Sequence, residues 1–249
     1  RCRLREAADM KSESAVQVDG LSKAYGDVRA VDSLSFTVAA GEIFGILGPN
    51  GSGKTTTLEC SLGIRTRVAG QVSLLGGDPV AQRRELFRMI GVQFQDSSWQ
   101  PGIRVGELCE TTACLYDPQP EWRSLLAEFD LAKRERKPVE TLSGGEKQKL
   151  SILLACMHAP RLIFLDELTT GLDPVARRET WGFIKRLQAR GATVVLTSHF
   201  MDEVEHLCDR ALVLKDGRKV AEGGIAEILA AGGGPSLEES YINLVGGMQ

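Results

Sequence analysis

Residues 48–55 read GPNGSGKT, directly after the apolar run EIFGIL. The segment fits G-x-x-x-x-G-K-[ST]. Its glycines let backbone N–H groups converge on an anion without Cβ clashes. Gly48, Pro49, Asn50, Gly51, Ser52 and Gly53 make the loop, and Lys54, Thr55 and Thr56 open the element that follows. A lysine at this point reaches the β- and γ-phosphates of a nucleotide, and the Thr55 hydroxyl can hold Mg²⁺. A helix beginning there adds its positive N-terminal end. The alternative is a flexible turn that merely contains a lysine. The strand before the loop and the helix after it argue against that.

A second chemical element is RLIFLDE, residues 161–167. Asp166 ends a buried-strand candidate, where a carboxylate can help to hold Mg²⁺ directly or through water. Glu167 follows at once and is placed to polarise an attacking water. Alone, such a pair reads equally well as a strand cap. Beside a phosphate loop it is the acidic partner that phosphoryl chemistry needs.

These groups require a scaffold. AVQVDGL and LSFTV alternate as half-buried strands do, whereas EIFGILG, IGVQFQD, RLIFLDE and ATVVLTSH are nearly continuous apolar runs, as in strands covered on both faces. QVSLLGGDP suggests a further strand and a turn. Helical spacing marks GSGKTTTLECSLGI, VAQRRELFRMI and PVARRETWGFIKRLQAR. The strand–helix–strand alternation predicts an α/β fold with a parallel sheet and right-handed crossovers. Residues 97–142 differ: VGELCETTACLY, WRSLLAEFDLA and the charged KRERK suggest a helical insert of short pieces. RALVLKDGRKVAEG reads as a hairpin turning at Asp216-Gly217, and SLEESYINLV as a short helix after the GGGP break. No internal repeat is evident.

The chain has 249 residues, of which 43% are hydrophobic and 25% charged, with a formal net charge of −3. That length suits one large domain or two small ones and can bury a sizeable core. Nucleic acid is not expected as a partner, since phosphate-backbone binders usually carry a basic excess. The six cysteines (Cys2, Cys60, Cys109, Cys114, Cys156 and Cys208) show no C-x-x-C or zinc-finger spacing, so reduced thiols are expected. No apolar run approaches the roughly 18 residues of a membrane span. Residues 1–13 lack the hydrophobic stretch of a secretory signal and are expected to form a flexible tail.

A third motif, LSGGEKQ at 142–148, stands between the phosphate loop and the Asp-Glu strand. With it, the order of motifs over residues 16–245 resembles the ATP-binding subunits of ABC transporters. The resemblance implies a P-loop NTPase: a RecA-like parallel sheet, an antiparallel β subdomain and a helical signature subdomain. It implies one ABC ATPase domain over 14–249, with 14–96 and 143–249 as the β and RecA-like core and 97–142 as the insert. Gly48 to Thr56 look like the Walker A loop. Tyr25, in KAYG, sits where the family stacks an aromatic ring on adenine. Gln95 resembles the glutamine that touches Mg²⁺ and the attacking water and faces the membrane partner. Ser143, Gly144 and Gly145 look like the signature that caps the γ-phosphate held by the opposite subunit. Asp166 and Glu167 match Walker B and the catalytic base. Asp173, in GLDP, matches the loop that crosses the dimer interface, and His199, in LTSH, the switch histidine at the γ-phosphate.

The chain departs from that pattern in places. Leu168 stands where the family usually has proline, which removes a fixed φ and predicts a somewhat less rigid loop. Glu146 and Lys149 replace the commoner Gln and Arg. Residues 177–224 are similar to the exporter-type ATPases of the ABC-2 class, which pair with a separate membrane subunit and move drugs, polyketides or lipids. The resemblance therefore implies ATP and Mg²⁺ as ligands. It implies a polytopic permease and a second copy or paralogue as partners, and a peripheral place on the cytoplasmic face of the membrane. An importer ATPase and a soluble ABC ATPase acting on ribosomes or DNA are the other readings. Ribosome-acting relatives usually carry two cassettes in one chain. DNA-repair relatives interrupt the cassette with long coiled coils, absent here, and no guanine-reading N-K-x-D segment is present.

Overall fold

Apolar runs and turn residues sort the chain into two sheets that meet behind the phosphate loop. A computed structural model of the chain describes residues 14–95 and 98–246. The tail over 1–13 and the start of the helical insert at 97 lie outside the described residues.

The small sheet is antiparallel, in the order β2 (Val28–Ala39), β1 (Ser14–Tyr25), β4 (Ala69–Leu74). Alternation buries Val16, Val18, Val31, Leu34, Phe36 and Val38 on one face. That face packs on the large sheet, where Phe36 stacks on Phe44 with ring centroids 5.6 Å apart.

The large sheet runs β5 (Ile90–Gln93), β6 (Leu162–Asp166), β7 (Thr193–Ser198), β3 (Ile43–Leu47), β8 (Arg210–Lys215), β9 (Arg218–Gly224). The first five are parallel, and β9 returns antiparallel to β8. The turn between β8 and β9 is Asp216-Gly217, with φ of 49° and 74°. Two positive φ values are what a tight hairpin matching the strand twist requires, and Asp-Gly tolerates them. All five residues of β3 and all five of β6 are buried, as their unbroken apolar runs demand.

Helices cover the other face of the large sheet. They are α3 (Val105–Ala113), α4 (Trp122–Glu128), α5 (Gly144–Cys156), α6 (Pro174–Ala189), α7 (Met201–Leu207), α8 (Ile225–Gly232) and α9 (Leu237–Gly246), whereas α1 (Lys54–Ser61) and α2 (Arg83–Leu86) share the apolar cluster of the small sheet, through Leu58, Cys60 and Leu86. Val105, Cys109, Trp122 and Leu126 of the insert share one apolar cluster with Leu150 and Leu153 of α5 and with Ile163 and Leu165 of β6. The insert is thereby fastened to the sheet edge by way of α5.

Two local expectations are corrected. The helix read over VAQRRELFRMI shrinks to Arg83–Leu86. The Asp78 carboxylate takes the N–H groups of Val80 and Ala81, which holds the first part as a turn, and the chain must straighten again into β5. KRERK contributes only a single 3₁₀ turn, Ala132–Arg134. The five described cysteines (Cys60, Cys109, Cys114, Cys156 and Cys208) are free thiols.

Candidate nucleotide site

The loop 48–53 leaves the C-terminal end of β3 and passes directly into α1. Gly51 and Gly53 hold φ of 81° and 100°. These lie in the left-handed region, where glycine bears no Cβ penalty. Gly53 is needed twice over, because a Cβ there would stand 2.3 Å from the Ala30 carbonyl of β2. A Cβ on Gly48 would stand 2.6 Å from the Leu214 carbonyl of β8. Strands from both sheets thus wall the loop from behind. Pro49, Asn50 and Gly51 are exposed, while Ser52 is buried with its hydroxyl unpartnered among the described residues.

Lys54 is 6% exposed and curls back over the loop, donating to the carbonyls of Gly48 (2.8 Å) and Pro49 (3.1 Å). Burial lowers its pKa, and the nearby carboxylates of Glu167 and Asp166 oppose that shift. An ammonium so placed favours an anion above the loop. Thr55 donates to Asp166 Oδ2 at 3.0 Å, which fixes the start of α1 against the end of β6. Thr56 is half-buried beside it.

Asp166 is 1% exposed. Burial raises its pKa, while the hydroxyls of Thr197 and Thr55 favour the charged form. Glu167 adopts φ 52°, unusual for a residue with a side chain, and this turns the chain sharply out of the sheet. Its carboxylate accepts from Gln95 Nε2 at 2.9 Å and from Thr170 Oγ1 at 3.3 Å. His199, following β7, places Nδ1 3.8 Å from Glu167 Oε1. Lys54, Thr55, Asp166, Glu167, Gln95 and His199 therefore form one neighbourhood at the C-terminal edge of the parallel strands. Ligands of open α/β sheets bind at that edge.

Other expected residues lie apart from it. Ser143 caps α5, accepting from Glu146 N–H at 3.2 Å, while the Glu146 carboxylate takes the Ser143 N–H at 2.9 Å. This reciprocal cap explains a glutamate at position 146. Ser143 and Gly144 are exposed at the helix start and Gly145 is half-buried. Asp173 caps α6, accepting from Val175 and Ala176 N–H groups, which lower its pKa. Tyr25 ends β1, 44% exposed, with Lys23 Nζ 4.9 Å from the ring centre. It pairs with Val28, two residues before the Ala30 carbonyl that touches the loop.

Three residues at the site have roles that the sequence motifs did not assign. Thr197 joins Asp166 to the Glu167 N–H. Gln93 and Gln148 donate their amides to the carbonyls of Asp166 and Leu168. The sequence signal for Thr197 and Gln93 is a polar side chain inside an otherwise apolar run, as in VVLTS and IGVQF, and Gln148 closes the LSGGEKQ segment. Leu168, where a proline was the commoner choice, is wholly buried. Packing and the Gln148 amide hold the loop that a pyrrolidine ring would otherwise stiffen.

The donors fit a hard divalent cation. Thr55 Oγ1 and the Asp166 carboxylate face each other, and Gln95 uses its nitrogen on Glu167, which leaves the amide oxygen as an acceptor. Among the described residues no group of His, Cys, Asp and Glu has the makeup of an all-protein metal cage.

Comparison with known proteins agrees with this geometry. The sequence profile of the ABC transporter family matches residues 31–170. The chain is 40% identical over 225 residues to the Nod factor export ATP-binding protein I of Paraburkholderia xenovorans (strain LB400), covering 88% of this chain and 74% of that protein. It is also 40% identical over 238 residues to the protein of the same name in Mesorhizobium japonicum, covering 94% and 70%. Among solved structures, an ATP-binding subunit of an ABC transporter superposes with a TM-score of 0.85 at 28% identity, covering 92% of this chain and 99% of that one. An ATP-binding cassette of an ABC transporter in its ADP conformation gives a TM-score of 0.76 at 26% identity, over 93% and 99% of the two chains. The chain belongs to the ABC transporter family, as one of its ATP-binding subunits and an ATPase.

Proposed function

We propose that two copies of this subunit, or one copy and a paralogue, close around two ATP molecules and thereby energise export by a separate polytopic membrane subunit. The carrying observation is the unbroken set of hydrogen bonds Thr55–Asp166–Thr197–Glu167–Gln95, with Lys54 and His199 at its margins. It joins phosphate-binding and water-activating groups at one sheet edge. The exposed start of α5 at Ser143, Gly144 and Gly145 supports an assembly in which this helix meets the γ-phosphate on the other subunit.

In this reading the backbone N–H groups of residues 48–56 and Lys54 bind the phosphates, and Tyr25 stacks on adenine. Glu167, steadied by Gln95 and Thr170, orients and deprotonates the attacking water. His199 donates to the γ-phosphate as charge shifts. Asp173 orders the loop that crosses the interface. Mg²⁺, held by Thr55, Asp166 and Gln95, supplies charge neutralisation across the phosphates when bound. Hydrolysis removes the group that keeps the two subunits together.

Residues 14–249 act as one ATPase unit with 97–142 as its helical insert. The apolar groove between β5 and the insert, lined by Phe87, Phe94, Leu115 and Tyr116, receives the membrane partner and passes it the motion of Gln95. No helix among the described residues is long and apolar enough to cross a membrane. We place the subunit peripherally on the cytoplasmic face. The relatives named for Nod factor export support export of a drug-like or lipid-like compound.

The test is Glu167→Gln with ATP. The variant should lose turnover and accumulate as an ATP-bound dimer by light scattering. Wild-type turnover in the variant overturns the catalytic assignment. Native co-purification of ribosomal or chromosomal proteins, with no polytopic membrane protein, overturns transport while leaving the ATPase intact.

A further inference from the structure

Three glutamine amides converge on the segment that carries Glu167. Gln95 Nε2 donates to the Glu167 carboxylate at 2.9 Å. Gln93, only 2% exposed, donates to the Asp166 carbonyl at 3.2 Å and to the Phe94 carbonyl at 2.7 Å. Gln148 Nε2 donates to the Leu168 carbonyl at 2.8 Å and reaches the Glu167 carbonyl at 3.5 Å. The first two belong to β5 and the loop after it. The third belongs to α5, whose first turn is Gly144-Gly145 behind the Ser143 cap.

The backbone that Gln148 grips is unusual. Glu167 sits at φ 52°, outside any strand ladder, and a small change in its ψ swings its carboxylate. Leu168 is fully buried, so the grip is not diluted by a loose side chain beneath it. Gln148 is the described side chain of α5 that hydrogen-bonds this segment. A glutamine suits the task, with two N–H donors on an unbranched stem and two successive carbonyls to meet. Glutamate would set its oxygens against those carbonyls, and leucine would fill the space with no donor.

We propose that Gln148 is a positioning residue that couples the signature helix to the carboxylate of Glu167 in the same subunit. A displacement of α5, as its N-terminus engages a nucleotide on the second subunit, moves the Leu168 carbonyl and re-aims Glu167. Each subunit's hydrolysis then depends on whether its own signature is engaged. This rests on the reading that Glu167 activates water and that the signature meets the partner's ATP.

The test compares Gln148→Leu and Gln148→Glu with the unaltered chain, each also in the Glu167→Gln background. Readouts are ATPase kcat and KM, ATP affinity by calorimetry and the thermal midpoint. We expect Gln148→Leu to lower kcat about tenfold, with KM, affinity and midpoint held. Gln148→Glu, which keeps the shape, should behave alike and serves if the leucine variant fails to fold. In the Glu167→Gln background neither should lower the residual turnover further, because both changes act through one carboxylate. An unchanged kcat in both Gln148 variants overturns the coupling while Glu167→Gln still loses turnover. So does the same proportional loss with and without Glu167, or a parallel fall in affinity and midpoint. Wild-type turnover in Glu167→Gln alone overturns the underlying reading and the coupling with it.

Discussion

The Thr197 hydroxyl is shared between the two acidic residues of the site: it donates to Asp166 Oδ1 and accepts the Glu167 N–H at 2.9 Å. Parallel pairing of β6 with β7 sets Asp166 opposite Thr197, and the threonine is 0% exposed. Valine has nearly the same shape but no hydroxyl. Thr197→Val should leave the Glu167 N–H unpartnered and Asp166 Oδ1 with only the longer 3.3 Å contact from Thr55, lowering stability by about 1–3 kcal/mol. ATPase kcat should fall with it, since the Glu167 backbone loses its anchor. Thr197→Ser should restore both. Chemical denaturation and steady-state kinetics on the three proteins decide the matter, and a fully active valine variant would remove Thr197 from the site.

Gly51 and Gly53 permit a comparison within one loop. Both hold positive φ, but a Cβ at Gly51 meets nothing within 4 Å, whereas one at Gly53 meets the Ala30 carbonyl at 2.3 Å. Gly51→Ala should cost only the conformational penalty, about 1–2 kcal/mol, with ATP still bound. Gly53→Ala should in addition push the loop off β2 and weaken ATP affinity by at least tenfold, an effect of about 1.4 kcal/mol or more. Calorimetric titration with ATP checks the order of the two; equal affinities would refute the wall behind Gly53.

What the sequence made legible was local. EIFGIL and RLIFLDE are buried on both faces and carry no alternation, so they identify the central strands. Asp216-Gly217 identifies the hairpin, because few dipeptides accept two positive φ values. The phosphate loop is legible for the same reason. The helix start at Ser143 was legible only through resemblance, and its reciprocal cap with Glu146 shows why an unusual residue is tolerated there. The least legible features depend on contacts distant in sequence. Gln93 meets the Asp166 carbonyl 73 residues away, and Gln148 meets that of Leu168 20 residues away. Neither partner can be found without the fold. The shortened helix at Arg83–Leu86 shows the converse: a plausible helical spacing lost to Asp78, whose carboxylate competes for the first N–H groups.

Glu203 is a buried carboxylate beneath the His199 loop, 0% exposed and bonded to Trp181 Nε1 at 3.2 Å. Burial raises its pKa from the usual 4.5, against Ser198, Thr169, Trp181 and Arg177, which favour the charged form. The folded chain therefore keeps this proton to higher pH than the unfolded chain does. Between 4.5 and the raised value, stability contributed by this group falls as pH rises, and above that value the full penalty applies. Glu203→Gln removes the titration and keeps an acceptor for the indole. Its stability relative to wild type should improve as pH rises above 4.5 and then level off, in urea unfolding. A constant difference across that range would show that Glu203 does not titrate there.

Asp32 ties the Tyr25 hairpin to the rear of the phosphate loop. Its N–H donates to the Gly217 carbonyl at 2.9 Å, and the Gly217 N–H donates to the Ser52 carbonyl at 3.1 Å. Its carboxylate takes Arg218 and Arg29, each at 2.8 Å, and those guanidinium groups lower its pKa. One residue thus fixes β2, which follows directly from Tyr25, against the turn that backs Ser52. Asp32→Ala should loosen the base seat relative to the phosphates and weaken ATP affinity about fivefold, a little under 1 kcal/mol. Tripolyphosphate has no base and should bind both proteins alike. Arg218→Ala should weaken ATP less, because Arg29 still holds the carboxylate. If Asp32→Ala weakens ATP and tripolyphosphate equally, the residue acts on the loop itself and not on its distance from Tyr25.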